Sequence, residues 1–243
     1  MTTTEIPVTD IHCADDLLAC IARPAGPGPH PGVIVLMEAF GLTAHIRGVC
    51  ARLAAEGYVA LAPDHYHGET FGYGDMENVL SRLQLLDDDL VMQEMGAALE
   101  TLSAQADVDG ARLGVVGFCM GGRLAFLAGC RHPQLRAVAS FYGGGIAPGQ
   151  TPDRFGRRPP IGEADALQAP LLLVYGADDS SIPPAEHARV TERLSSLHKR
   201  YTLSVYPGAG HGFCCEDRPS YAPAAVESAF AELGAFFKQA FAL

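Results

Sequence analysis

Short unbroken apolar runs alternate with stretches of helical spacing along most of this chain, and no other feature limits the fold as tightly. Residues 32–37 read Gly-Val-Ile-Val-Leu-Met. Nearly every position is apolar, as in a strand covered on both faces of a parallel sheet. Further runs at 58–62, 113–118, 137–142, 171–175 and 201–206 predict strands of the same kind. Between them, residues 47–56 carry Val49 and Leu53 at helical spacing and stop at Gly57. Residues 79–103 predict one long amphipathic helix through Leu80, Leu83, Leu86, Leu90, Met95 and Leu99. Other helices are expected at 122–130, 185–197 and 222–241, and a hairpin at 11–22 with Asp15 and Asp16 at its turn. Strands alternating with helices make an α/β fold, a mostly parallel sheet with helices on both faces.

The 243 residues, 48% of them hydrophobic, suit one sizeable domain spanning 1–243. Neither an internal repeat nor a dividing linker is visible. The irregular stretch at 144–168, proline-rich and carrying Arg154, Arg157 and Arg158, is long for a bare connection and is expected to be a functional loop or cap.

A net charge of −11 disfavours nucleic acid or an anionic membrane surface as partner. The first ten residues have neither a basic nor an apolar segment of a secretory signal, and no apolar run approaches a membrane span. Seven cysteines, at 13, 20, 50, 119, 130, 214 and 215, include no CxxC pair. Reduced thiols in a cytoplasmic protein are therefore expected. Neither GxGxxG nor a phosphate-loop motif surrounds Gly114–Gly122, so no nucleotide cofactor is expected. His65 and His67, near Asp64, have no third ligand at sensible spacing, so they read as loop histidines and no metal is expected.

In an open parallel sheet, ligands bind beyond the carboxyl ends of the strands. Four chemistry-bearing residues lie just after apolar runs: Glu38 in MEAFGL, Cys119 in GFCMGG, Asp179 in YGADDSSIP and His211 in GAGHGF. Each has a bland reading. A free cysteine is usually a small buried hydrophobe, and a histidine after a strand is usually just a satisfied polar residue. Together, in the chain order nucleophile, acid, histidine, they point to an α/β-hydrolase. The G-x-Cys-x-G turn needs small flanks around a strained nucleophile. A helix beginning at Met120 would aim its positive end at the sulfur and favour thiolate. A histidine can take the thiol proton and return it to the leaving group, and a carboxylate fixes that histidine's tautomer. Asp178 competes with Asp179 for this last role.

The segments VVGFCMGGRLAF, MEAFGL, GADDSSIP and AGHGF resemble the dienelactone hydrolase (carboxymethylenebutenolidase) family of α/β-hydrolases. The likeness runs from about residue 11 to the last helix. It implies a triad of Cys119, His211 and Asp179, the aspartate being selected by its place four residues before Pro183. It implies that Glu38 interacts with the thiol and helps to activate it. The oxyanion hole would be the backbone N–H groups of Ala39 and Met120. The implied activity is hydrolysis of a small-molecule lactone or activated ester through an acyl-thioester, without a cofactor.

The family holds its substrate's carboxylate with two arginines, and one of those positions is Cys215 here. Arg82 is the candidate for the other, while Arg218, Arg154 and Arg157 are further guanidiniums able to reach inward. Loss of a bidentate clamp favours a general carboxylesterase or thioesterase as the nearest alternative. A binding protein or thiol redox sensor on a hydrolase fold is the alternative of another class. His45 is expected at the pocket edge without a chemical role, and Arg123 to cap or pair on the outer side of its helix rather than touch substrate.

Overall fold

A computed structural model describes residues 6–149, 153 and 155–242. Eight strands form one sheet in the order β1-β2-β4-β3-β5-β6-β7-β8. They are β1 (Val8–His12), β2 (Leu18–Ala22), β3 (His30–Leu36), β4 (Val59–Pro63), β5 (Val108–Phe118), β6 (Leu135–Phe141), β7 (Leu171–Gly176) and β8 (Tyr201–Tyr206). The hairpin strands β1 and β2 run antiparallel to each other, β2 runs antiparallel to β4, and every other pairing is parallel.

The helices are α1 (Ala44–Ala55), α2 (Met76–Gln84), α3 (Asp88–Ser103), α4 (Met120–Arg131), α5 (Pro184–Ser196) and α6 (Pro223–Ala240). Every residue of β4 and β7 is buried, as is all of β3 after its first residue. Successive strand side chains point to opposite faces, so both faces are covered. On one side Arg52 of α1 lies 3.8 Å from the ring centroid of Phe230 on α6. On the other, α3 meets α4, where Arg123 holds Asp88 in a paired hydrogen bond of 2.7 and 2.8 Å.

Three expectations are corrected. The helix predicted over 79–103 is two helices, because the Asp87 side chain accepts the N–H groups of Asp89 and Leu90 and starts α3 afresh. Leu80 and Leu90 belonged to the apparent apolar period, yet both are exposed. β5 begins at Val108 rather than at 113, its extra residues pairing with His30 and Pro31 before a register shift. Arg123 does pair, but its partner is Asp88 of α3 and the pair is buried rather than on an exposed outer side.

Within 144–168, residues Pro160–Ala166 form a 3₁₀ turn. Asp153 pairs with Arg157 at 3.4 Å, while Arg154 lies outside the described residues. Among the described residues, no helix is long and apolar enough to cross a membrane.

Candidate functional site

The parallel strands β3, β5, β7 and β8 all deliver their carboxyl ends to one edge of the sheet, and the four singled-out residues follow those ends. Cys119 comes directly after β5, with φ 56° and ψ −116°, and caps α4. That left-handed backbone is costly for a residue with a side chain, and close packing enforces it. A Cβ on Gly117 would run into the Gly121 carbonyl, and one on Gly121 into the Leu36 carbonyl. The Cys119 N–H donates to the Phe141 carbonyl at 2.9 Å, and its own carbonyl accepts from Gly122 at 2.9 Å. The sulfur therefore stands at the positive end of α4, where negative charge is favoured.

His211 joins the other groups. Its Nε2 lies 3.1 Å from Cys119 Sγ, and its Nδ1 lies 2.7 Å from Asp179 Oδ2. Residues 92 and 32 positions apart in sequence thus form one chain of contacts. The other oxygen of Asp179 accepts the Ser181 N–H at 2.8 Å. Asp178, its competitor in the sequence, is exposed, while Asp179 is buried against the imidazole. The Ser220 hydroxyl donates to the His211 carbonyl at 2.7 Å, and Tyr142 meets the imidazole edge-on at 5.5 Å. Burial works against a charged imidazole, but the Cys119 sulfur and the Asp179 carboxylate outweigh it and push the His211 pKa up to about 10.

Glu38 is buried completely. Burial raises its pKa, and the charges of Arg218 and His211 act against that rise. Its described ion-pair partner is Arg218, Nη1 to Oε1 at 3.5 Å. Arg218 also lies over the Phe40 ring at 5.4 Å. No motif marks Arg218: it comes seven residues after His211, and only the fold of that loop turns it inward.

Ala39 follows Glu38, and Met120 opens α4. For neither N–H is a backbone acceptor described outside the regular elements. Arg82 is engaged elsewhere. It pairs with Glu69 at 3.1 Å, donates to the His65 carbonyl at 3.2 Å and lies over Tyr66 at 4.4 Å. Tyr66 in turn donates its hydroxyl to Met120 Sδ at 3.4 Å, so Arg82 meets the site through that ring. His65 and His67 both pair with Glu94, at 2.6 and 2.9 Å. All seven cysteines are free thiols.

A thiol, an imidazole and a carboxylate in line can open an acyl compound. Comparison with known proteins gives the family. The family model for the dienelactone hydrolase family matches residues 17–241. A protein of Synechocystis sp., provisionally named a carboxymethylenebutenolidase, is 36% identical over 90% of this chain and 89% of its own. A protein of Bradyrhizobium sp., provisionally named a 2-oxo-3-(5-oxofuran-2-ylidene)propanoate lactonase, is 35% identical over 88% of this chain and 85% of its own. The crystal structure of a provisionally named dienelactone hydrolase from Klebsiella pneumoniae superposes with a TM-score of 0.89 at 32% identity, covering 97% of this chain and all of that one. The sheet and its helices are those of an α/β-hydrolase.

Proposed function

The chain belongs to the dienelactone hydrolase family, and from that premise we propose that it opens small carboxylated lactones by way of a Cys119 acyl-thioester. The observation that carries this reading is the placement of His211 between Cys119 Sγ and Asp179 Oδ2, at 3.1 and 2.7 Å. The substrate class follows from the relatives' names, which describe an unsaturated five-membered lactone bearing an acid group. Arg218 supplies a guanidinium for that acid beside the nucleophile, with Arg82 a second one behind Tyr66.

In this reading the thiolate attacks the lactone carbonyl. The oxyanion is held by the N–H groups of Ala39 and Met120, each worth about 2.7–4 kcal/mol. The ring C–O bond breaks, and the leaving oxygen takes its proton from the His211 imidazolium. His211, now neutral and oriented by Asp179, removes a proton from water, which attacks the thioester and frees the acid. One water is consumed and Cys119 is regenerated. Glu38, held by Arg218, is freed toward the thiol when the substrate's acid group takes that guanidinium.

The test follows loss of ultraviolet absorbance from a dienelactone. Wild type should turn it over, Cys119→Ala should not, and Arg218→Gln should raise KM for the acid-bearing lactone but not for a neutral ester. Turnover of neutral esters alone would transfer the protein to the general carboxylesterase reading. Loss of neither by wild type would overturn the hydrolytic reading in favour of a thiol sensor or binding protein.

A further inference from the structure

Beside the thiol–imidazole pair lies a second cluster that shares only Glu38 with the proposed chemistry. A carboxylate oxygen of Glu38, a ring nitrogen of His45 and the sulfur of Cys215 all lie within 4.8 Å of one another. They come from the end of β3, the first turn of α1 and the loop after His211, and no sequence spacing links positions 38, 45 and 215. We propose that Glu38, His45 and Cys215 bind one borderline-soft divalent cation, zinc(II) fitting best. This stands apart from the hydrolytic reading, because binding is read without substrate.

Three observations carry it. First, both oxygens of Glu38 and Nε2 of His45 are buried without a well-formed hydrogen bond, Tyr142 and Arg218 acting on the carboxylate only weakly. Polar atoms removed from water normally find partners, and Arg218 at 3.5 Å balances the carboxylate's charge without bonding it well. Second, the donors are one oxygen, one nitrogen and one sulfur, a set that suits zinc and disfavours calcium or magnesium. Zinc ligands at tetrahedral angles stand about 3.3–3.6 Å apart, so the widest pair in the cluster must draw in by at most roughly 1.2–1.5 Å from its 4.8 Å span, leaving the fourth position to water. Third, a groove of about 530 Å³ reaches His45, and its Glu216, Asp217 and Glu227 outnumber its Arg52, so a cation is favoured beside that ligand.

On binding, the Cys215 S–H bond breaks, its proton passes to buffer and the thiolate bonds the metal. Arg218 is the competitor, since cation and guanidinium both claim Glu38. Filling the site therefore displaces Arg218.

The experiment uses Cys119→Ala protein, so that the sulfur facing His211 and Asp179 is absent. Zinc(II) is titrated against a chromophoric chelator, and cobalt(II) is added separately to read thiolate-to-metal absorption in the near ultraviolet. Cys119→Ala should hold one equivalent of zinc. Adding Cys215→Ser or His45→Gln should weaken it by about ten-fold or more, and adding Arg218→Gln should tighten it. The cobalt band should vanish with Cys215→Ser. No zinc on Cys119→Ala, or affinity unchanged by both ligand substitutions, overturns the proposal. If Cys215→Ser unfolds, His45→Gln decides alone.

Discussion

At the scale of one residue, the imidazole of His211 carries the largest consequence. Its pKa, raised from 6.5 to about 10, owes the rise to the Cys119 sulfur and Asp179 acting against burial. A raised value stabilises the fold fully below the unfolded value near 6.5, and that stabilisation is lost as pH climbs through about 10. Histidine-selective nuclear magnetic resonance should find the His211 midpoint near 10, and Cys119→Ala should lower it by removing the first supporting charge. An unmoved midpoint would mean that the sulfur does not hold the proton. Motif and chain order identified Cys119 and His211 from the sequence. Arg218 was only one of several arginines there, because a loop's inward turn has no periodicity to read.

At the scale of the element, the break between α2 and α3 is the instructive case. Leucines at 80, 83, 86 and 90 imitate one apolar stripe, but Asp87 offers its carboxylate to two N–H groups and begins a new helix. A capping side chain of that kind is worth about 0.5–2 kcal/mol. Asp87→Ala should therefore lower the urea midpoint by a corresponding amount, with helix content falling mainly in the first turn of α3. A full-size effect on activity from this substitution would count against a purely capping role. The opposite case is the elbow. There the glycines on either side of Cys119 follow from the packing of α4 on β3, which the G-x-Cys-x-G pattern had already required.

At the scale of the whole molecule, Arg123 ties together parts that the sequence keeps far apart. It holds Asp88 of α3 bidentately and donates to the Arg158 carbonyl at 3.2 Å in the long irregular segment. Removing one partner of a buried pair strands the other's charge. Arg123→Met should cost about 3 kcal/mol in denaturant unfolding, and Asp88→Leu added to it should restore much of that loss. Independent, additive losses would show that the two side chains do not act as a pair.

The sequence by itself determined the α/β architecture, the edge at which chemistry-bearing groups gather, and the identity of the elbow. Unbroken apolar runs and tight glycine turns are local signals, written within a few residues. Tertiary structure alone decided that Arg218 is the guanidinium beside Glu38, and that His45 and Cys215 converge on that carboxylate. Those outcomes depend on how loops from separate strand ends meet in space. Side-chain direction at the end of a long loop is fixed by packing and charge across the fold, and neighbours along the chain carry no record of it.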